Sequence, residues 1–142
     1  NTVFVSRGDN SGTNKKERLL WKLADMPIPE QETWYRQSGQ GMLATINVAA
    51  ELKGYTMADR GTYIKYESIA ESKPALVVLV EGDDVLLNQY SIIPINLQHC
   101  ANVKYDKAQV LSSWMAGDEA QRLIGEFKLL GKQLFTPNAN RE

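Results

Sequence analysis

The chain has 142 residues, 43% hydrophobic and 23% charged, with a formal net charge of −1 and a single cysteine, Cys100. That length suits one domain, or one and a fraction, with a real core, and the composition excludes a disordered polymer. No apolar run reaches the ~18 residues of a membrane span, one cysteine excludes an internal disulfide, and no basic stripe is available for nucleic acid, although a small anion needs only local positive potential.

Thr2–Ser6 is β-branched and aromatic and predicts a strand. No leader pattern precedes it, as expected of a mature or trimmed protein. Asn14–Asp25 reads as a helix with Leu19, Leu20, Trp21, Leu23 and Ala24 inward and Lys15, Lys16, Glu17, Arg18 and Lys22 outward. Thr13, or Asn14 with Glu17, offers its N-cap, and Met26-Pro27-Ile28-Pro29 stops it. Thr33–Tyr35 suggests a short extended piece. Ser38–Gly41 is a glycine turn opening a second helix, Met42–Lys53, with Met42, Ile46, Ala49 and Ala50 on one face and Gly54 as its stop.

Further along, Thr56–Asp59 reads as the cap of a one- to two-turn helix ended by Gly61, and Thr62–Lys65 as a strand. Ala75–Val80 has the length and apolarity of a buried strand. Tyr90–Ile95 reads as another, with Pro94 at an edge. Lys104–Met115 and Asp118–Leu130 are amphipathic and predict two helices broken at Gly117, and Asn138–Glu142 should fray. Mixed helices and strands make the class α/β. A break is expected near Ile93–Leu97, because the two helices after it have no strands of their own to cover.

The stretch carrying the most chemistry is Ser6-Arg7-Gly8-Asp9-Asn10-Ser11-Gly12-Thr13, a strand running through a polar turn into a helix. The first N–H groups of a helix have no partner within it and attract anions. Ser11, Gly12 and Thr13 can present successive N–H groups and two hydroxyls, and Arg7 can reach over the turn as a fork. A plain capped helix start explains the same spacing, so both readings stand on the residues alone. Ser38 and Gly39 have the same character before the second helix, where a simple tight turn is favoured over a second anion contact. Arg60 and Tyr63 are read as a surface ion pair and a core tyrosine.

Other signals are weaker. Arg7-Gly8-Asp9 spells an adhesion tripeptide but abuts a helix rather than a loop tip. Gly8–Gly12 is like the nucleophile segment of chymotrypsin-like proteases, with Asn10 intruding, and His99 is the sole candidate base. His99-Cys100 supplies two adjacent ligands where zinc wants three or four, so no metal site is expected. Trp21, Trp34 and Trp114 are assigned to a core or an interface.

Phe4–Glu17, Leu20-Trp21, Trp34-Tyr35, Ser38–Met42, Tyr55–Tyr63, Leu86–Ser91 and Leu134–Pro137 together resemble the tungstate-binding proteins of bacterial ABC importers. The resemblance implies a two-lobed, class II periplasmic-binding-protein-like fold that closes on tungstate or molybdate, bound as an anion without a cofactor. It maps the oxyanion-contacting arginine onto Arg7. Ser11 and Thr13 match the following serine and threonine, and they are assigned to the ligand more from geometry than from the family. The family's threonine- and serine-rich turn on the other lobe has no match here, and its members extend further on the N-terminal side. Residues 1–93 would then form one complete lobe, and residues 94–142 the return segment and C-terminal helices of the other.

The expected function is capture of tungstate or molybdate outside the cytoplasm, in the periplasm or extracellularly, for delivery to an ABC permease, with no chemistry on the ligand. Ligand residues would be Arg7, Ser11, Gly12, Thr13, Ser38 and Gly39. A swapped copy of the chain could replace the missing lobe. Alternatives are a phosphate- or sulfate-type carrier, a sensor module of the same fold, or a hydrolase using Ser11.

Overall fold

The computed structural model describes residues 2–70 and 73–139. The chain divides into two compact units, Asn1–Leu86 and Leu87–Glu142.

The first unit runs β1 (Phe4–Ser6), α1 (Gly12–Leu23), β2 (Tyr35–Gln37), α2 (Met42–Glu51), β3 (Tyr55–Thr56) and α3 (Arg60–Ile69). Its three strands are parallel and lie in the order β2-β1-β3, with Phe4 opposite both Tyr35 and Tyr55. The chain steps from β1 to β2 in one direction and from β2 across β1 to β3 in the other. Right-handed crossovers therefore put α1 and α2 on opposite faces of the sheet.

Side chains on β1 alternate accordingly. Phe4 and Ser6 face α1: the Phe4 ring meets Trp21 edge-on at 5.5 Å, and the Ser6 hydroxyl donates to Glu17. Val5, fully buried, points the other way. The core on that side is Met42, Ile46 and Tyr66, with Leu43, Ala58, Tyr63 and Leu76 packed around it.

Several expectations give way here. Helix α1 starts at Gly12 rather than Asn14, and its N-cap is Ser11, whose Oγ accepts the Asn14 N–H at 3.3 Å. The side of α1 turned inward is Asn14 and Glu17, both buried, with Trp21 beside them. Glu17, read as solvated, is 3% exposed, whereas Leu19 and Leu23 are exposed. The apolar side read from the sequence therefore points largely outward.

Thr56 belongs to β3, while the helix stop expected at Gly61 and the strand expected over Thr62–Lys65 both fall within one helix, α3. Asp59 caps it, accepting the Thr62 N–H at 2.8 Å, and Gly61 sits in the first turn rather than at a stop. Thr62 and Ile64 imitate a strand, but Tyr63 and Tyr66 share a helical face and pack ring to ring at 6.0 Å.

Ala75–Val80 forms no strand, and Val77, Val78, Leu79 and Val80 are exposed. Only Leu76 finds partners: its N–H donates to the Tyr66 hydroxyl and its carbonyl accepts from Tyr63. A buried strand needs a neighbour for its backbone groups, and none lies beside this segment among the described residues.

The second unit contains α4 (Tyr105–Ala116), α5 (Asp118–Glu126), β4 (Lys128–Leu129) and β5 (Lys132–Gln133). Tyr90–Ile95 is irregular, with Ile92, Ile93 and Ile95 exposed. The last helix stops at Glu126 instead of Leu130, because Leu130 and Gly131 both have positive φ (51° and 81°) and close a two-residue hairpin between β4 and β5. Ala120 is the buried residue of α5, and Trp114 is exposed rather than in a core. The fraying expected for Asn138–Glu142 lies outside the described residues from position 140 on.

Candidate functional site

The loops after β1 and β2 leave the same end of the sheet, each running into the N-terminus of a helix on a different face. This is the carboxyl end of the strands, outside which open α/β sheets bind ligands. The loops are joined there: the Ser38 N–H donates to the Ser6 carbonyl at 2.9 Å and the Gly39 N–H to the Arg7 carbonyl at 2.8 Å. All six residues expected from the sequence, Arg7, Ser11, Gly12, Thr13, Ser38 and Gly39, lie on these two loops or on the first turn of α1.

Within the first loop most donors turn inward. Gly8 N–H donates to Ser6 Oγ at 3.2 Å, Asn10 N–H to Asn14 Oδ1 at 3.1 Å and Ser11 N–H to Asp9 Oδ1 at 3.1 Å. Asn10 takes φ 59°, which asparagine tolerates better than most residues. Gly12 N–H and Thr13 N–H, at the mouth of α1, have no partner among the described residues. These are the groups a helix N-terminus offers to an anion.

Arg7 is partly buried, and its Nη2 pairs with Asp9 Oδ2 at 2.5 Å. Its Nε is buried without a partner among the described residues. Asp9 is held below the ordinary aspartate value of 3.8, first by the Ser11 hydroxyl, then by the Ser11 backbone N–H and the Arg7 guanidinium, against a smaller opposing effect of burial. Asp9 thus occupies one edge of the guanidinium and leaves the Nε edge unmatched.

The second loop is more self-contained. Ser38 Oγ lies 2.7 Å from Thr45 Oγ1, accepts the Gln40 N–H at 3.3 Å and lies 3.4 Å from the Arg7 carbonyl. Ser38 and Gly39 therefore spend their polar groups on holding the loops together. Arg60 pairs with Glu81 on the surface at 2.9 Å, and Tyr63 packs on the core.

Sequence reasoning missed what lies beneath the first loop. Glu17 Oε2 accepts from Ser6 Oγ at 2.5 Å and Asn14 Nδ2 at 3.5 Å, while Oε1 accepts from Tyr35 Oη at 2.7 Å and Trp21 Nε1 at 3.1 Å. Tyr35 is consequently pushed up to about 12, chiefly by burial and further by the Glu17 carboxylate it donates to. A signal was available: Asn14, Glu17 and Trp21 recur at helical spacing on one face, but their polarity disguised it as a solvated side. A recess of about 320 Å³ beside the loop, lined by Gly8, Asn10, Asn14, Arg18, Tyr35 and Gln37, contains none of the six expected ligand residues.

A parallel sheet with two helix-opening loops stapled together at the carboxyl end of its strands has the ligand end of an open α/β binding lobe. The chain belongs to the PBP superfamily domain family, which matches residues 1–119. It is similar to the tungstate-binding protein TupA of Campylobacter jejuni, with 52% identity over 137 residues, covering 96% of this chain and 51% of that protein. Similarity to the tungstate-binding protein TupA of Peptoclostridium acidaminophilum is 40% over 138 residues, covering 96% and 46%. The solved tungstate-binding protein TupA from Desulfovibrio alaskensis G20 superposes with a TM-score of 0.93 at 62% identity, covering 98% of this chain and 56% of that one. The chain spans about half the length of the curated relatives it matches.

Proposed function

We propose that this chain is about half of an extracytoplasmic solute-binding protein that holds tungstate, or molybdate, between two lobes and delivers it to an ABC-type permease. Residues 1–93 supply one lobe and half of the anion site, and residues 94–142 belong to the other lobe. The rest of that second lobe comes from sequence outside this chain or from a swapped copy of it. The similarity to named tungstate-binding proteins supports the choice of ion. The observation that carries the reading is the buried, unmatched Nε of Arg7 on the same loop as the unmatched N–H groups of Gly12 and Thr13. A tetrahedral oxyanion accepts from several convergent donors at about 2.7–3.0 Å and would satisfy all three.

In this reading Arg7 supplies charge, Gly12 and Thr13 supply N–H groups, and Thr13 adds its hydroxyl. The Ser11 hydroxyl turns from Asp9 to the ligand. Ser38 and Gly39 contribute by fixing the second loop against Arg7. The ion bridges the lobes and shifts the open–closed population, and no bond in it is made or broken. A hydrolase is disfavoured because Ser11 is engaged as a helix cap and faces Asp9, whose lowered proton affinity makes it a weak base for activating a hydroxyl.

Calorimetric titration of the chain with tungstate, with sulfate and phosphate as competitors, tests this. Tungstate should bind, compete best and lose its heat signal in Arg7→Ala. Equal binding by Arg7→Ala, or a preference for phosphate or sulfate, would sink the reading.

A further inference from the structure

The most deeply buried acid among the described residues of the first unit takes no part in the ligand set above, yet one of its carboxylate oxygens bonds to residues that lead towards that set. We propose that Glu17 is the positioning residue of the anion loop: its two carboxylate oxygens divide the work, Oε1 anchoring α1 to β2 and Oε2 setting the hydrogen-bond directions of residues 6–14. The proposal deepens the reading of this loop as an anion half-site and rests on it.

The argument follows the protons. A carboxylate only accepts, so the Ser6 hydroxyl must spend its single proton on Oε2. Ser6 Oγ is then left with lone pairs alone, and it accepts the Gly8 N–H at 3.2 Å and Asn14 Nδ2 at 3.1 Å. Asn14 has its NH2 turned towards Ser6 and Glu17, which points Oδ1 at the Asn10 N–H, 3.1 Å away. The N–H groups of Gly8 and Asn10 are therefore drawn inward, and the loop is held so that the donors of Gly12 and Thr13 remain for a ligand. On the Oε1 side Tyr35 Oη and Trp21 Nε1 tie the carboxylate to the framework, and Tyr35 also lies within hydrogen-bonding reach of the Ser6 side chain.

An amide in place of the carboxylate cannot accept at both ends. Glu17→Gln can keep its oxygen towards Tyr35 and Trp21, or towards Ser6 and Asn14, but presents NH2 to the other pair. Turned towards Ser6, the NH2 would demand a lone pair, and the Ser6 proton would have to find another acceptor. The chain from Ser6 through Asn14 to Asn10 then loses its direction.

The test compares the full chain with Glu17→Gln, Ser6→Ala and Tyr35→Phe by tungstate calorimetry, thermal unfolding and backbone amide NMR. Ser6→Ala removes a donor to Oε2 and Tyr35→Phe a donor to Oε1, and both variants lose the contact between Ser6 and Tyr35. The expected result is a loss of affinity of about tenfold or more in Glu17→Gln and Ser6→Ala, with displaced Gly8 and Asn10 amide resonances in both. Tyr35→Phe should lose thermal stability while its affinity stays within about twofold and its Gly8 and Asn10 amides stay in place. If Glu17→Gln does not fold, Ser6→Ala carries the test. Unmoved amides and wild-type affinity in the loop-side variants overturn the proposal, as does an equal loss in Tyr35→Phe. If the parent chain binds no tungstate, the functional reading fails, while the Gly8 and Asn10 amides still decide whether Glu17 positions the loop.

Discussion

The Arg7 carbonyl accepts the Gly39 N–H at 2.8 Å, beyond the last paired residues of β1 and β2, Ser6 and Gln37. This backbone bond ties the β2–α2 loop to the residue that carries the site's positive charge. Gly39 holds φ 63° to make it. Gly39→Ala is expected to cost about 1–2 kcal/mol from the left-handed backbone alone, since a methyl there meets nothing. Denaturant unfolding measures it, and an unchanged midpoint would show that the turn relaxes freely.

Gly54 presents the opposite case. A Cβ there would lie 2.5 Å from the Val3 carbonyl oxygen, which is backbone and accepts the Tyr55 N–H at 2.8 Å. Gly54→Ala should push β3 from β1 and destabilise the first unit by about 1–3 kcal/mol or more. Thermal unfolding of the pair of glycine variants would rank the two mechanisms.

Alkaline pH addresses Tyr35. Its native-state value of about 12 stands above the ordinary 10.0. The unfolded chain therefore releases this proton first, and stability falls as pH rises from 10 towards 12. Tyr35→Phe should remove that part of the alkaline slope. A titration of tyrosinate absorbance in which all tyrosines ionise together would contradict it.

Acid addresses Asp9. Its native-state value is depressed, so its contribution is present above the ordinary 3.8 and is lost as pH falls through the native-state value. Wild type should exceed Asp9→Asn in thermal stability near neutrality, and the gap should close in acid below 3.8. A gap that persists there would mean that Asp9 acts through shape rather than charge.

Half a site sets a ceiling on affinity. Hydrogen bonds to a charged group contribute about 1.5–3 kcal/mol each before the entropy of association is deducted. The 142-residue chain should bind tungstate at least about a hundredfold less tightly than a chain carrying both lobes. Equal affinity by calorimetry would mean that one lobe suffices.

The sequence made some of this legible and hid the rest for physical reasons. The β1 strand and α2 were readable because local signals and burial agree there: Met42, Ile46 and Ala49 are buried as their spacing predicts. The turn of Arg7, Ser11, Gly12 and Thr13 was readable as a strand running into a helix start, because short polar residues and glycine cap helices, and the same spacing serves a plain cap and an anion contact alike. Ala75–Val80 and Tyr90–Ile95 misled because apolarity marks what a segment could bury, not whether a partner is at hand. Glu17 was hidden because its burial depends on Ser6 and Tyr35, eleven and eighteen residues away, and the helical spacing it shares with Asn14 and Trp21 looks the same on a solvated side.

Helix α1 turns a polar side to the sheet, and this bears on how the segment tolerates insertions and deletions. Apolar side chains can slide past one another and repack, so a greasy seam survives small slips. A carboxylate gripped by four donors from three directions has one angular setting. Removing a single residue between Asn14 and Glu17 would rotate the carboxylate by about 100° around the helix and strand the Ser6, Asn14 and Tyr35 donors, Trp21 alone moving with it. Length between these two positions should therefore be fixed more rigidly than the identity of the residues that fill it.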